Sequence, residues 1–144
     1  MSPEAFAEQC MGPCAPAYVR WRADWAAVDC YGLLVLYWRE VHGRELLPEP
    51  QTASGMADGF AALGRHWTEC GPEPGACGFM AYDAGCPRHC GVLLPGGMLL
   101  HIEAPGPTGG GHPRRTPLRA LVRLYPDVRF YRPEPGAFAP CSPS

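Results

Sequence analysis

The stretch from Cys30 to His42 constrains the fold most, because it is apolar almost all round. A helix without a polar face has to be buried, so this stretch predicts a central helix on which the rest of the chain packs. Gly43 follows it and can adopt the left-handed conformation that ends many helices. Its apolar part, YGLLVLYW, is only eight residues long, too short to cross a membrane.

A thiol occupies the first position of this predicted helix. The positive end of the helix dipole favours the thiolate of Cys30, and a nucleophilic thiolate also needs a base, usually histidine. The chain offers His42, His66, His89, His101 and His112. His42 lies about three turns further along the same helix. His89 and His101 fall on the two strands of one predicted hairpin, where their geometry is fixed.

The hairpin turn decides whether these two histidines can meet. Because strand side chains alternate between faces, His89 and His101 share a face only when the turn has an odd number of residues. A two-residue turn of Gly96 and Gly97 would separate them, whereas a three-residue turn starting at Pro95 would bring them together. Proline suits the first position of a type I turn and glycine the left-handed position after it, so we favour the three-residue turn.

In this register the residues predict a catalytic triad. His101 faces Gly91, diagonally from His89, and the glycine leaves room for the two rings to hydrogen-bond. Cys30 is then the candidate nucleophile, His89 the base and later the acid, and His101 the residue that orients His89. Asparagine is absent from the chain, which excludes a Cys-His-Asn version. The backbone N–H of Cys30 is a candidate oxyanion donor.

Other chemistries fit these residues less well. Taken alone, Cys30 would most simply be a buried structural thiol. Cys86, His89 and Cys90 could supply three zinc ligands, but four are needed and no second CxxC or HxxxH lies nearby. The four serines include no G-x-S-x-G motif, which disfavours a serine hydrolase. We therefore expect neither a metal nor another cofactor.

Helical patterns come first along the chain and most strand patterns later, which predicts an α+β fold with an antiparallel sheet. The predicted helices are 3–11, 30–42, 52–64 and 116–125, the predicted strands 76–82, 88–94, 98–102 and 127–133, and the main loops 13–29 and 104–115. We expect one domain over residues 1–133 and a disordered tail over 134–144.

Composition limits the partners and the compartment. The formal net charge is -2 and the sequence pI about 6.2, which argues against a nucleic-acid partner. The N-terminus lacks the basic and apolar regions of a secretory signal peptide. The eight cysteines are too sparse for a small disulfide scaffold. We expect synthesis in the cytoplasm, mostly free and buried thiols, and no membrane partner.

The motifs around the predicted triad resemble those of the NlpC-type papain-like cysteine peptidases. The segment DCYGLLVLYWREVHGRELLP resembles the Asp-Cys-x-Gly start of that family's central helix. The segment HCGVLLPGGMLLHIE resembles its His-x-Gly-Val strand and the histidine on the next strand. PAYVRW is similar to its Pro-Tyr-x-Trp segment, and YPDVRFYRP to the closing strand of its phage-borne branch. The resemblance covers roughly residues 3–133.

This resemblance implies a papain-like fold and a peptidase or amidase that cleaves peptidoglycan stem peptides. The phage-borne branch comprises tail-tip and tail-assembly proteins and parts of gene-transfer particles, so it implies tail proteins as partners and action at the cell wall or periplasm. Tyr18 would line the site near the oxyanion. Asp29 and Tyr31, which flank the nucleophile, are further candidates for contact with the substrate or the oxyanion. Two alternatives stay open: a tail-assembly protein of the same fold with weak or no activity, and a thioester acyltransferase on the same residues.

Overall fold

The structure is a computed structural model that describes residues 1–49, 51 and 64–140. The helix predicted over 52–64 lies outside the described residues except at its last position. The described helices and strands are, in chain order, α1 (Pro3–Met11), β1 (Ala17–Tyr18), β2 (Ala27–Val28), α2 (Cys30–His42), β3 (Trp67–Cys70), β4 (Cys77–Met80), β5 (His89–Leu93), β6 (Met98–Ile102), β7 (Pro113–Pro117), α3 (Leu118–Leu124) and β8 (Arg129–Pro133). Short 3₁₀ turns lie at Gly64–His66 and Pro135–Ala137.

Six strands form one sheet in the order β3-β8-β4-β5-β6-β7, and every neighbouring pair is antiparallel. Strands β1 and β2 form a separate parallel pair just before α2. Helices α1 and α2 pack on one face of the sheet, where Cys90, Val92 and Leu100 join their core. Leu121 of α3 packs with Leu99 in a smaller core on the other face. The predicted α+β fold, with the Cys30 helix packed on an antiparallel sheet, is confirmed.

Helices α1 and α2 begin and end where the sequence signals place them. The Ser2 hydroxyl accepts from the backbone N–H of Ala5 at 3.1 Å, with Pro3 in the first helical position. Helix α2 ends at Gly43, which has a left-handed φ of 64°. All residues of α2 from Cys30 to Tyr37 are buried, as a helix without a polar face requires. Among the described residues, no helix is long and apolar enough to span a bilayer.

The strands that the sequence did not predict are short or lie at the edges of the sheet. Strands β3 and β7 are the two outermost strands, and β1 and β2 have two residues each. Edge strands are only partly covered, so β3 and β7 lack the apolar run that marks an inner strand. The helix predicted over 116–125 begins at Leu118 instead, because Thr116 and Pro117 still pair with β6.

The prediction of a disordered tail from residue 134 is wrong for its described part, residues 134–140. Phe138 is 6% exposed, and its ring lies 5.3 Å from that of Trp38. Backbone hydrogen bonds join this segment to the chain after α2, from Leu47 N–H to Ala137 C=O at 2.9 Å and from Ala139 N–H to Glu45 C=O at 2.7 Å. The segment is rich in proline and glycine, yet its apolar residues fill space beside α2.

Candidate active site

Cys30 is the first residue of α2, and its neighbour Asp29 caps the helix. One carboxylate oxygen of Asp29 accepts from the backbone N–H of Gly32 at 2.7 Å, and the other accepts from that of Trp21 at 2.7 Å. Asp29 is 1% exposed, so this buried carboxylate ties the preceding loop to the first helical turn. The backbone N–H of Cys30 lies in this turn, where N–H groups have no acceptor within the helix.

Gly32 allows the preceding loop to pass close to α2. A Cβ at this position would collide with the backbone carbonyl of Arg22 and would lie 2.9 Å from Asp29 Oδ1. The same Arg22 carbonyl accepts from the backbone N–H of Asp29 at 3.1 Å. The glycine of the Asp-Cys-x-Gly motif is therefore required by close backbone packing at the first turn of α2.

The Cys30 thiol is nearly buried, yet its pKa is lowered to about 6. The largest cause is a hydrogen bond with the Cys90 thiol, and hydrogen bonding to His89 and the positive charge of His89 act in the same direction. Burial and the negative charge of Asp29 oppose this shift. Cys90 keeps its own proton, because its complete burial raises its pKa well above the usual value. At neutral pH the site thus holds a Cys30 thiolate between a thiol donor and an imidazole.

A chain of hydrogen bonds runs from His89 into the sheet. His89 Nε2 lies 2.8 Å from His101 Nδ1, and His101 Nε2 lies 2.7 Å from Thr116 Oγ1. Burial, followed by the charges of His89 and Arg114, lowers the pKa of His101 to about 4, so His101 is neutral. In one tautomer of neutral His101, His89 Nε2 donates to His101 Nδ1 and His101 Nε2 donates to Thr116 Oγ1. The Nδ1 of His89 is left to face the thiol.

The register predicted for the hairpin is confirmed. Gly91 pairs with His101, and the Leu94 N–H donates to the Met98 C=O at 2.8 Å, so the turn has three residues. The turn type differs from the prediction, because Gly96 has a φ of 96° where a type I turn requires a negative value. Two consecutive glycines permit this conformation, and the parity of the turn is unaffected.

Tyr18, which the resemblance places near the oxyanion, lies close enough to Cys30 to sense its charge. Strand β1 pairs with β2, which leads directly into Asp29, and this pairing carries Tyr18 to the start of α2. Burial and the negative charges of Cys30 and Asp29 raise the pKa of Tyr18, so its phenol stays protonated and can donate a hydrogen bond. Tyr31 instead points into the core and donates to the Leu47 C=O at 2.8 Å, which commits its hydroxyl elsewhere.

Glu49 is a second acid at the start of α2. Both of its carboxyl oxygens are buried without a hydrogen-bond partner among the described residues, and burial, then interaction with Asp29 and the charge of Cys30, raise the pKa of Glu49 to about 8. Glu49 is therefore mostly protonated at neutral pH. The two acids line a cavity of about 220 Å³, together with Trp21, Tyr31 and Gln51 among others.

Cys90, Thr116 and Glu49 were missed as site residues by the sequence reasoning. Cys90 adjoins His89, but adjacent strand residues point to opposite faces, so the sequence alone gave no reason to place it against Cys30. Thr116 reads as a helix cap because Pro117 follows it, and only the pairing of β6 with β7 brings it to His101. Glu49 follows Pro48 in a polar stretch, and no pattern there indicates a site.

Three side chains in the described part of the chain could present metal-ligand atoms to one centre. Ligand atoms of His89, His101 and Glu103 lie within 4.8 Å of one another. Both nitrogens of His101 are already hydrogen-bonded, and Glu103 Oε1 accepts from Arg114 at 2.8 Å and from Tyr125 at 2.6 Å. We therefore describe this cluster as a hydrogen-bonded network. The cysteines of the zinc alternative are not among its members.

Comparison with known proteins supports the resemblance seen in the sequence. No family model matches the chain. The tail tip assembly protein K of Escherichia phage N15 is 35% identical over 117 residues, which cover 70% of this chain and 46% of the phage protein. The chain thus spans about half the length of this curated relative. The match confirms the likeness to phage tail-tip proteins that the closing-strand motif indicated.

The fold is that of a known hydrolase domain. The NlpC/p60 domain of the peptidoglycan hydrolase SagA superposes with a TM-score of 0.52 at 19% sequence identity. The superposition covers 90% of this chain and 98% of that domain. At this identity the likeness concerns the arrangement of helices and strands, and the chemistry has to be argued from the residues of this chain.

Proposed function

We propose, from the premise that this chain has the NlpC/p60 fold, that it is a cysteine hydrolase of amide bonds in peptidoglycan stem peptides. One observation carries the proposal: a thiol with a lowered pKa lies at the start of a buried helix, beside His89, which is hydrogen-bonded to a neutral, buried His101. Packing alone does not require this combination, because a structural thiol in an apolar core keeps a raised pKa, as Cys10 and Cys77 do.

The first half of the reaction forms a thioester. The Cys30 thiolate attacks the carbonyl carbon of the scissile amide, and the carbonyl oxygen takes up the negative charge. The Cys30 backbone N–H and the Tyr18 hydroxyl are the candidate donors to this oxyanion. The His89 imidazolium then gives its Nδ1 proton to the leaving nitrogen, the C–N bond breaks, and the amine departs.

The second half releases the acid. Neutral His89 removes a proton from water, the resulting hydroxide attacks the thioester, and the C–S bond breaks to regenerate the thiolate and the imidazolium. His101 stays neutral throughout and fixes the ring of His89 through the bond to its Nε2. An amine supplied in place of water would accept the acyl group, so product analysis with added amines tests the acyltransferase alternative.

Cys30→Ala should abolish cleavage of purified peptidoglycan, because no other group can form the thioester. The measurement is the release of soluble stem-peptide fragments, separated by chromatography and identified by mass spectrometry. Cys14→Ala is the matched control, since Cys14 is an exposed thiol on the loop after α1 and should leave cleavage unchanged. Undiminished cleavage by Cys30→Ala would contradict the proposal.

A role in tail assembly is the second candidate, and the phage relative, named as a tail tip assembly protein, favours it. In this role the domain would join a phage-like tail particle, with tail proteins as its partners, and its site would have weak or no activity. Assembly of particles with Cys30→Ala protein separates the two roles. Normal particles that fail to penetrate the wall would show a hydrolase carried by the tail, and missing particles would show a structural requirement for this residue.

A further inference from the structure

We propose that Tyr125 and Glu103 form a clamp on His89, in which the tyrosine ring positions the imidazole and the carboxylate stabilises its protonated form. Both would be positioning residues, since neither contacts the reacting atoms. The inference rests on the proposed function only in taking Cys30 and His89 as the reactive pair.

The contacts of Tyr125 connect both parts of the clamp. Its ring lies 5.7 Å from the His89 ring at an interplanar angle of 32°, and its hydroxyl donates to Glu103 Oε1 at 2.6 Å. Tyr125 directly follows α3, and its backbone N–H donates to the Leu121 C=O at 2.8 Å. Leu121 is completely buried against the sheet. Its hydrogen bond to the Tyr125 N–H therefore fixes the position of the tyrosine beside His89.

Glu103 supplies a negative charge that the third residue of the triad, His101, lacks. His101 is neutral, so it orients His89 but cannot balance the positive charge of the imidazolium. Glu103 lies two residues beyond His101, and its carboxylate oxygen is within 4.8 Å of the ring nitrogens of both histidines. Burial opposes its ionisation, but the hydrogen bond from Tyr125 and the charge of Arg114 lower the pKa of Glu103 overall. Glu103 is therefore a carboxylate at neutral pH.

Arg114 limits the size of this effect without cancelling it. It donates to the same oxygen, Glu103 Oε1, at 2.8 Å, but its side chain is 48% exposed, so water screens its charge. The polar and titratable groups around His89 come from every element packed against it: Cys30 and Asp29 at the start of α2, Cys90 on β5, His101 and Glu103 from β6, Arg114 and Thr116 on β7, and Tyr125 after α3.

The test follows the protonation of the His89 ring by NMR, in the full chain labelled at histidine. Glu103→Gln keeps the shape of the side chain and removes its charge. We expect the deprotonation midpoint of His89 to fall by about one pH unit, the low end for an opposite charge at this distance. The basic limb of the pH profile of kcat/KM should move to lower pH by a similar amount. Glu8→Gln, which removes an exposed charge from α1, is the matched control and should leave both unchanged.

Two variants of Tyr125 separate positioning from charge and keep the test open if Glu103→Gln does not fold. Tyr125→Phe retains the ring and should lower the His89 midpoint less than Glu103→Gln does. Tyr125→Leu removes the ring and should lower kcat with little change in KM. An unchanged His89 midpoint in Glu103→Gln, or in Tyr125→Phe if the former is unfolded, would overturn the proposal. The titration needs no substrate, so it tests the clamp separately from the proposed function. If the unmodified chain does not cleave peptidoglycan but Glu103→Gln still lowers the His89 midpoint, only the proposed function is contradicted.

Discussion

At the scale of single residues, the lowered pKa of Cys30 depends on a second cysteine. Cys90 is buried and keeps its proton, so its S–H can donate to the Cys30 thiolate. The imidazole of His89 provides the second stabilising contact, and Asp29 works against both. A thiolate with two donors is favoured even in a nearly buried position, because each charge-assisted hydrogen bond offsets part of the desolvation cost.

We predict that Cys30 is alkylated as a thiolate from slightly acidic pH upwards. Because its pKa is lowered to about 6, the alkylation rate should rise as pH increases through about 6 and then level off, whereas a free thiol would respond near pH 8.5. The measurement is the rate of iodoacetamide incorporation at Cys30, followed by mass spectrometry across the pH range. A midpoint near that of a free thiol would contradict the assignment of an activated nucleophile.

Cys90→Ala should move this alkylation midpoint upward by roughly one unit or more, the value of one hydrogen bond to a charged group. Cys77→Ala is the control, because Cys77 is another buried strand cysteine whose pKa is raised, to about 12, mainly by burial. Its replacement should leave the midpoint unchanged. Equal midpoints in the two variants would show that the Cys90 thiol does not stabilise the thiolate.

At the scale of elements, the β5–β6 hairpin sets the distance between the histidines. Gly91 pairs with His101, and a Cβ there would lie 2.7 Å from the Leu100 carbonyl oxygen and 2.9 Å from His101 Cβ. The absence of a side chain at Gly91 is what lets the two imidazoles approach to 2.8 Å across the diagonal. The hairpin thus depends on the absence of a side chain at Gly91.

Gly91→Ala should therefore disturb the site and the sheet together. We expect a loss of about 1–3 kcal/mol in the free energy of unfolding, as for other overpacked positions, and an upward shift in the alkylation midpoint of Cys30. Urea denaturation and the alkylation profile measure these two effects. Gly71→Ala is the matched control, since a Cβ at Gly71 would meet no atom within 4 Å. Similar stabilities of the two variants would contradict this account.

The sequence was sufficient to predict the hairpin register but not the full set of residues around the thiol. Whether a turn has an odd or an even number of residues depends on local sequence, so the three-residue turn could be inferred from Pro95, Gly96 and Gly97. The proximity of Cys90 to Cys30 and of Thr116 to His101 depends on how α2 and β7 pack against the hairpin. Such tertiary contacts leave no periodic pattern in the sequence, and neither does an edge strand such as β7.

At the scale of the whole molecule, the segment after β8 closes the fold against the chain after α2. Phe138 pairs through a backbone bridge with Leu46, its ring packs on that of Trp38, and the Arg44 guanidinium lies 3.9 Å from the ring centroid. Composition alone had suggested disorder here, because proline and glycine dominate the segment. A single well-placed aromatic side chain outweighs that tendency when it completes a core.

Phe138→Ala should lower the free energy of unfolding by about 3 kcal/mol, the lower end for loss of a buried phenylalanine. Urea denaturation followed by tryptophan fluorescence measures the change and also reports the environment of Trp38. Leu124→Ala is the control, because Leu124 is 61% exposed and its truncation should have little effect. A Phe138→Ala protein as stable as the control would show that the C-terminal segment contributes nothing to the fold.

The proposed nucleophile and its partners are synthesised in a fixed order. Cys30 emerges early from the ribosome, whereas His89, His101, Thr116 and Tyr125 follow much later and only then form the far side of the site. Until those strands pair, the thiol has no base and no thiol donor, so an incomplete chain carries an ordinary cysteine. The chemistry is thereby postponed until the sheet is assembled, and a truncated product in the producing cell would be inert.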